Sequence, residues 1–167
     1  MNTKIRTAVL STFTFFVAIL ITVSGCKKDQ PAPQQAPYDF DVVLYSPEKN
    51  SQASGSINFR QDPDTARIIT LATTVSNLSP NHSYLLQRAV NPITDSTQCS
   101  STAWLTLGEG LQPAAIHTDA NGNGNANLWR NITAIARGTQ FYIRFQVVDS
   151  ATQKPALTSP CYTYTVR

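Results

Sequence analysis

The chain is poor in the residues on which most catalytic and metal-binding chemistry rests. It has two histidines, His82 and His117, three cysteines and only 14% charged residues. Two imidazoles cannot supply the several ligands on neighbouring strands that a copper- or zinc-dependent oxidase needs. A Gly-x-Ser-x-Gly nucleophile elbow, a Ser-x-x-Lys pair, a His-Glu-x-x-His helix and a phosphate-cradling glycine loop are all missing. Asp39 and Asp41 share a strand face opposite Phe40 and Val42, hence in water, and Asp62 and Asp64 flank Pro63 in a turn. Neither pair has the apolar surroundings that a general acid requires. No internal repeat, heptad or block of like charge appears, and a formal net charge of +3 gives no case for nucleic acid or an acidic substrate. These absences predict a protein without a cofactor and without enzymatic activity, a small hydrolase being the least favoured alternative.

What is present begins with the leader. Lys4 and Arg6 precede an uncharged apolar run from Ala8 to Val23. At roughly 16 residues that run is shorter than the ~20 needed to cross a bilayer as a helix. It suits the apolar core of a signal peptide. The run ends in "VSGC", Val23 to Cys26, which resembles the lipobox of bacterial lipoproteins. The resemblance implies cleavage between Gly25 and Cys26, acylation of Cys26 and stable anchoring by more than one chain. Residues 1–25 are thus expected to be a lipoprotein signal peptide. Residues 26–37, "CKKDQPAPQQAP", are expected to be a Pro- and Gln-rich tether with nothing to bury. Lys27, rather than an acid, after the lipidated cysteine points by analogy to the outer membrane, facing periplasm or cell surface. Loss of the leader removes Lys4 and Arg6 and brings the net charge close to neutral.

Residues 38–167 are long enough for one domain with its own core. With Cys26 taken by lipid, Cys99 and Cys161 remain, and an oxidising compartment favours their pairing. Alternation of apolar and polar residues dominates. In "TQFYIRFQVVD" Phe141, Ile143, Phe145 and Val147 fall on one face and Tyr142, Arg144 and Gln146 on the other. The same period marks residues 38–45, 56–60, 67–75, 83–90, 103–107, 124–129 and 161–167, separated by turn clusters such as "SPEKNSQASG" and "NLSPNHS". Only "RNITAIARG", Arg130 to Gly138, suggests a helical turn. Leu78, Pro80 and Tyr84 stand at a Leu-x-Pro-x-x-x-Tyr spacing that resembles the tyrosine corner of fibronectin type III domains. The expected fold is therefore all-β, an antiparallel Ig-like sandwich of about eight strands with Greek-key connections. Tyr84 sits earlier than in that family, and Cys99, Trp104 and Cys161 lack the immunoglobulin spacing, so the topology departs from both.

Two stretches invite a site. "HTDANGNGNANLW", His117 to Trp129, places Asp119, Asn121, Asn123 and Gly124 at positions one, three, five and six of a calcium loop. The twelfth position, where a bidentate glutamate should close the shell, is Arg130. Asp119, Asn121 and Asn123 thus make a weak calcium candidate, and a hairpin tip is the better reading. Trp129, Tyr142 and Arg144 would make a recognition patch if exposed together. The composite expectation is a non-enzymatic interaction or structural module, membrane-anchored through lipid, with an unidentified envelope protein or glycan as partner. A carbohydrate- or solute-binding module is the alternative.

Overall fold

A computed structural model describes residues 39–62, 67–94 and 97–167. The signal peptide, Cys26, the tether and Asp64 lie outside the described residues.

The alternation written in the sequence becomes the wall of the domain. In β1 (Asp39–Tyr45) Phe40, Val42 and Leu44 are buried while the residues between them are exposed. The next strands, β2 (Ser54–Gln61) and β3 (Ile68–Ser76), continue the antiparallel ladder, and β9 (Gly124–Asn131) follows β3. Their registers align Phe40 with Phe59, Phe59 with Leu71 and Leu71 with Leu128. One apolar rung therefore crosses four strands on the inward face, because side chains two apart on a strand share a face.

The facing wall is built on β4 (Ser83–Pro92) and β10 (Gln140–Asp149), which pair along nearly their whole length. The far edge of β10 is shared by β12 (Tyr162–Thr165) and β11 (Pro155–Thr158). Thr158 pairs with Gln146 on one side and with Tyr45 of β1 on the other, so β11 joins the two walls into one sheet. Short pieces bridge the remaining gap between β4 and β9. These are β5 (Leu105–Thr106) and β8 (Ala115–His117) against β4, and β6 (Gly108–Glu109), itself paired with β7 (Gln112–Pro113), against β9. A single bridge between Thr118 and Gly124 closes the β8–β9 turn. The result is an all-β, nearly closed, barrel-like sheet whose seam lies between β4 and β9.

Each of the eight expected segments contains a strand, and four more, β6, β7, β8 and β11, bring the number to twelve. These four span two to four residues, too few to carry a visible alternation. The expected helical turn at 130–138 is instead the end of β9 followed by turns. There Asn131 Oδ1 accepts from the Thr133 amide at 2.8 Å and Ile135 N donates to Ile132 O at 2.9 Å. An asparagine that offers its side chain to the backbone two residues on competes with the helix and wins here.

The core fills the space between the walls. Phe59 lies at its centre, stacked on Phe40 at 4.7 Å and edge-on to Tyr164 at 4.9 Å and Phe145 at 6.2 Å. Gln61, buried on the same face of β2, accepts from the Tyr164 hydroxyl at 2.5 Å and the Arg167 amide at 2.9 Å. Both bonds satisfy an oxygen that would be costly to bury alone. Cys99 and Cys161 lie at disulfide distance, Sγ to Sγ 2.14 Å with Cα atoms 5.8 Å apart.

Candidate functional site

Two arginines occupy positions that alternation assigns to the interior. On β4, Arg88 falls between the inward Leu86 and Val90, and on β9, Arg130 falls between Leu128 and Ile132. Both side chains line a cavity of about 140 Å³ between the walls. Its remaining lining is apolar or aromatic, with Phe59, Ile69, Leu107, Ile132, Ile143 and Tyr164 among it. Arg130 Nη1 makes one long contact, 3.5 Å, with the carbonyl of Gly110. Arg88 makes no hydrogen bond or ion pair with any described residue. Burial pushes the Arg88 pKa down, and the like charge of Arg130 pushes it in the same direction. The site therefore holds two cations facing an apolar chamber, with no carboxylate among its described lining residues to balance them. Both arginines are half-buried; even partial burial of unpaired charge is unfavourable, and unbalanced charge in a cleft is characteristic of ligand sites.

These two residues were not singled out by sequence reasoning, although a signal existed. A charge at the inward parity of an otherwise apolar strand breaks the pattern in both "LLQRAV" and "NLWRNI". Arg130 entered as an obstacle to calcium and as the start of the expected helical turn.

At the other end of the barrel the polar residues are wired to one another. His82 Nε2 lies 2.5 Å from Asp149 Oδ2, and Asp149 Oδ1 accepts from the amides of Thr152 at 2.7 Å and Ala151 at 2.9 Å. The Thr152 amide, with further help from His82, holds the Asp149 carboxyl down at about 2 against a smaller opposing effect of burial. Tyr84 Oη accepts from the Ser79 amide at 3.1 Å, which ties the start of β4 back to the segment containing Leu78 and Pro80. Thr118 Oγ1 donates to Ser79 O at 2.7 Å and accepts from His82 N at 3.0 Å. His82 is thus half-buried and paired. The separation of 67 residues in sequence hid the pairing.

His117, at the exposed end of β8, lies with Nδ1 3.0 Å from Ser83 Oγ. In a Ser–His–Asp relay one imidazole touches both the nucleophile and the acid. Here the serine meets one histidine and the carboxylate meets the other, so the four side chains form two separate pairs. Lowering the pH through the range from about 4 to about 2 protonates Asp149 in the folded chain only at the bottom of that range, whereas the unfolded chain takes the proton first. A depressed carboxylate stabilises the fold above its ordinary pKa and loses that contribution as pH falls towards about 2. Asp149→Asn is expected to flatten the acid limb of a stability-against-pH curve over that window, measured by urea unfolding. An unchanged limb would show that Asp149 does not contribute.

The stretch from His117 to Trp129 is the end of β8, a tight turn over residues 118–123 and the first part of β9. Asp119 Oδ1 accepts from the amides of Asn121 at 2.8 Å and Asn123 at 2.9 Å, and Asp119 N donates to Asn123 O at 2.8 Å. Gly122 sits at φ 79°, and a Cβ there would lie 2.1 Å from the carbonyl of Leu78. The turn is therefore docked on the 78–81 segment, with Leu78 N bonded to Gly122 O at 3.0 Å and Asn81 N to Asp119 O at 3.0 Å. Asp119 Oδ1 is thus engaged in holding the turn. Millimolar calcium is expected to leave the melting temperature unchanged in a thermal scan, and a rise that vanishes in Asp119→Ala would restore the ligand reading.

Trp129 does not meet Tyr142 and Arg144. Trp129 lies on the outer face of β9, 39% exposed, with its ring over Gly110, whereas Tyr142 and Arg144 project from β10 on the other wall. The segment 97–104 covers that pair. Gln98 Nε2 donates to Tyr142 Oη at 3.3 Å, Arg144 donates to Ser101 O at 3.0 Å, and the Arg144 guanidinium stacks on Trp104 at 4.8 Å. Alternation identified the outward face of β10 but could not show that a loop folds across it. Asp39 and Asp41 stand on the exposed face of β1 as expected, with Asp41 accepting from Asn58 at 3.0 Å, and Asp62 pairs with Arg60 at 2.8 Å. The chain matches no protein-family model, no curated protein and no solved structure.

Proposed function

We propose that the chain is a lipid-anchored protein of the cell envelope whose β domain is a non-enzymatic module that binds a small solute. Anchoring rests on the Cys26 lipobox and the Pro-rich tether, which would hold the domain off the membrane, and Lys27 favours the outer membrane. The solute-binding reading rests on one observation, the apolar cavity bounded by two arginines that lack an acidic partner among the described residues. It takes precedence over a purely protein-facing or glycan-facing module, because the aromatic patch that such a module would present is divided between the two walls. The bond from Tyr84 to Ser79 supports descent from an Ig-like sandwich with Greek-key connections, in which β11 has come to link the two sheets.

Two measurements test the proposal. Intact mass of the membrane-extracted chain is expected to correspond to an N-terminus at acylated Cys26; retention of Met1 or an unmodified N-terminus would defeat the anchor. Native mass spectrometry of the full chain is expected to show a small-molecule adduct that is lost on Arg130→Gln. A chain that carries no adduct and is not stabilised by any small solute would defeat the binding reading.

A further inference from the structure

We infer that the cavity between the walls takes a small organic monoanion, a carboxylate on an apolar body of about six carbons, with its charged end between Arg88 and Arg130. This inference rests on the solute-binding reading and narrows it to a chemical class.

Size sets the body. A cavity of about 140 Å³ is close to the roughly 150 Å³ of an engineered apolar cavity that stays dry and admits benzene. An aryl ring or a short alkyl chain fits that volume, and the tail of a long acyl chain does not. The apolar side chains around the chamber offer such a body a better environment than water and offer a polar ligand nothing to bond with.

Charge sets the head. Arg88 has no protein partner among the described residues, and Arg130 reaches only the Gly110 carbonyl at 3.5 Å. The two guanidiniums repel each other. A carboxylate between them removes that repulsion and gains the two parallel N–H bonds that a planar fork makes with a planar anion. The lining contains no acid, so an ammonium group would have no counter-charge and would meet two cations. Free amino acids of the same size are therefore rejected. Inorganic phosphate satisfies the head but leaves the apolar chamber unfilled.

The test is calorimetric titration of the purified full chain with benzoate and hexanoate, and with toluene, phenylalanine and inorganic phosphate for comparison. Benzoate, hexanoate or both are expected to bind one to one, and the better of the two tells an aryl source from a short-chain acid. Arg88→Gln and Arg130→Gln are each expected to weaken that binding by about tenfold or more, with melting temperatures unchanged or raised because a like-charge contact has gone. Leu107→Phe, which keeps both arginines and narrows the chamber, is expected to weaken it as well. If toluene binds as tightly as benzoate, or if neither arginine substitution weakens the carboxylate, the anion class is wrong and the solute pocket stands. If none of the five probes binds, both the anion class and the pocket are overturned.

Discussion

Phe59→Ala is expected to cost about 3–5 kcal/mol of stability, the upper part of the range for a large-to-small change in a packed core. Phe59 is 1% exposed and carries three aromatic contacts at once, to Phe40, Tyr164 and Phe145. Removing the ring forfeits its transfer free energy and those contacts. The surroundings cannot collapse to compensate, because Phe59 already borders the interior cavity, and the new space would merge with the old. On a domain of this size the loss corresponds to a fall in melting temperature of roughly 10–20 °C. Urea unfolding at constant m-value is the direct measurement. Phe59→Leu keeps most of the volume and should lose less than half as much. A loss below about 1 kcal/mol for the alanine variant would mean that the rung through Phe40, Phe59, Leu71 and Leu128 is not the centre of the core.

The double replacement of Cys99 and Cys161 by serine is expected to cost about 4 kcal/mol in the chain-entropy treatment of a crosslink, given the 62-residue separation. Against the roughly 5–15 kcal/mol of a typical domain this is a large fraction. The same loss is expected when the wild-type chain is fully reduced, while the serine variant should be insensitive to reductant. Mass spectrometry should register two added hydrogens on reduction of the wild type alone. A local consequence accompanies the global one. Cys99 lies in the segment that covers Tyr142 and Arg144, so its release should loosen the contact between Arg144 and Trp104 and shift the Trp104 emission. A wild-type chain whose unfolding midpoint ignores reductant would show that the pairing contributes nothing to stability.

The sequence revealed the walls of this protein better than its interior. Alternation is a local property, and in β1, β3 and β10 three or more buried positions repeat every second residue, so the strands and their inward faces were readable. The turn at Asp119 was readable for the same reason, since its glycine and asparagine residues and its capping carboxylate lie within five residues of one another. The arginine pair was half readable. Alternation points Arg88 and Arg130 inward, but no local pattern reveals that β4 and β9 flank an incompletely paired seam where the two meet. The pairing of His82 with Asp149 and the covering of Tyr142 and Arg144 by residues 97–104 are likewise contacts between distant segments. Strands of two residues such as β6 and β7 have no period to detect.

The placement of β10 has a consequence for the order in which the protein assembles. Among the described residues Gln140–Asp149 is the only long neighbour of β4, and it is also the strand on which β11 and β12 are laid. The first three strands and β9 form a ladder without it, yet opposite their inward faces only β4 precedes it in the chain. The contacts that complete the barrel are very distant in the chain, with the Val43 amide meeting the Tyr162 hydroxyl 119 residues away and Gln61 meeting Tyr164 103 residues away. Such topology folds slowly, on the order of milliseconds to seconds. A chain emerging from its N-terminal side therefore displays a four-stranded apolar surface for as long as β10 remains unmade, and in that interval it depends on dilution or a holding chaperone to stay single.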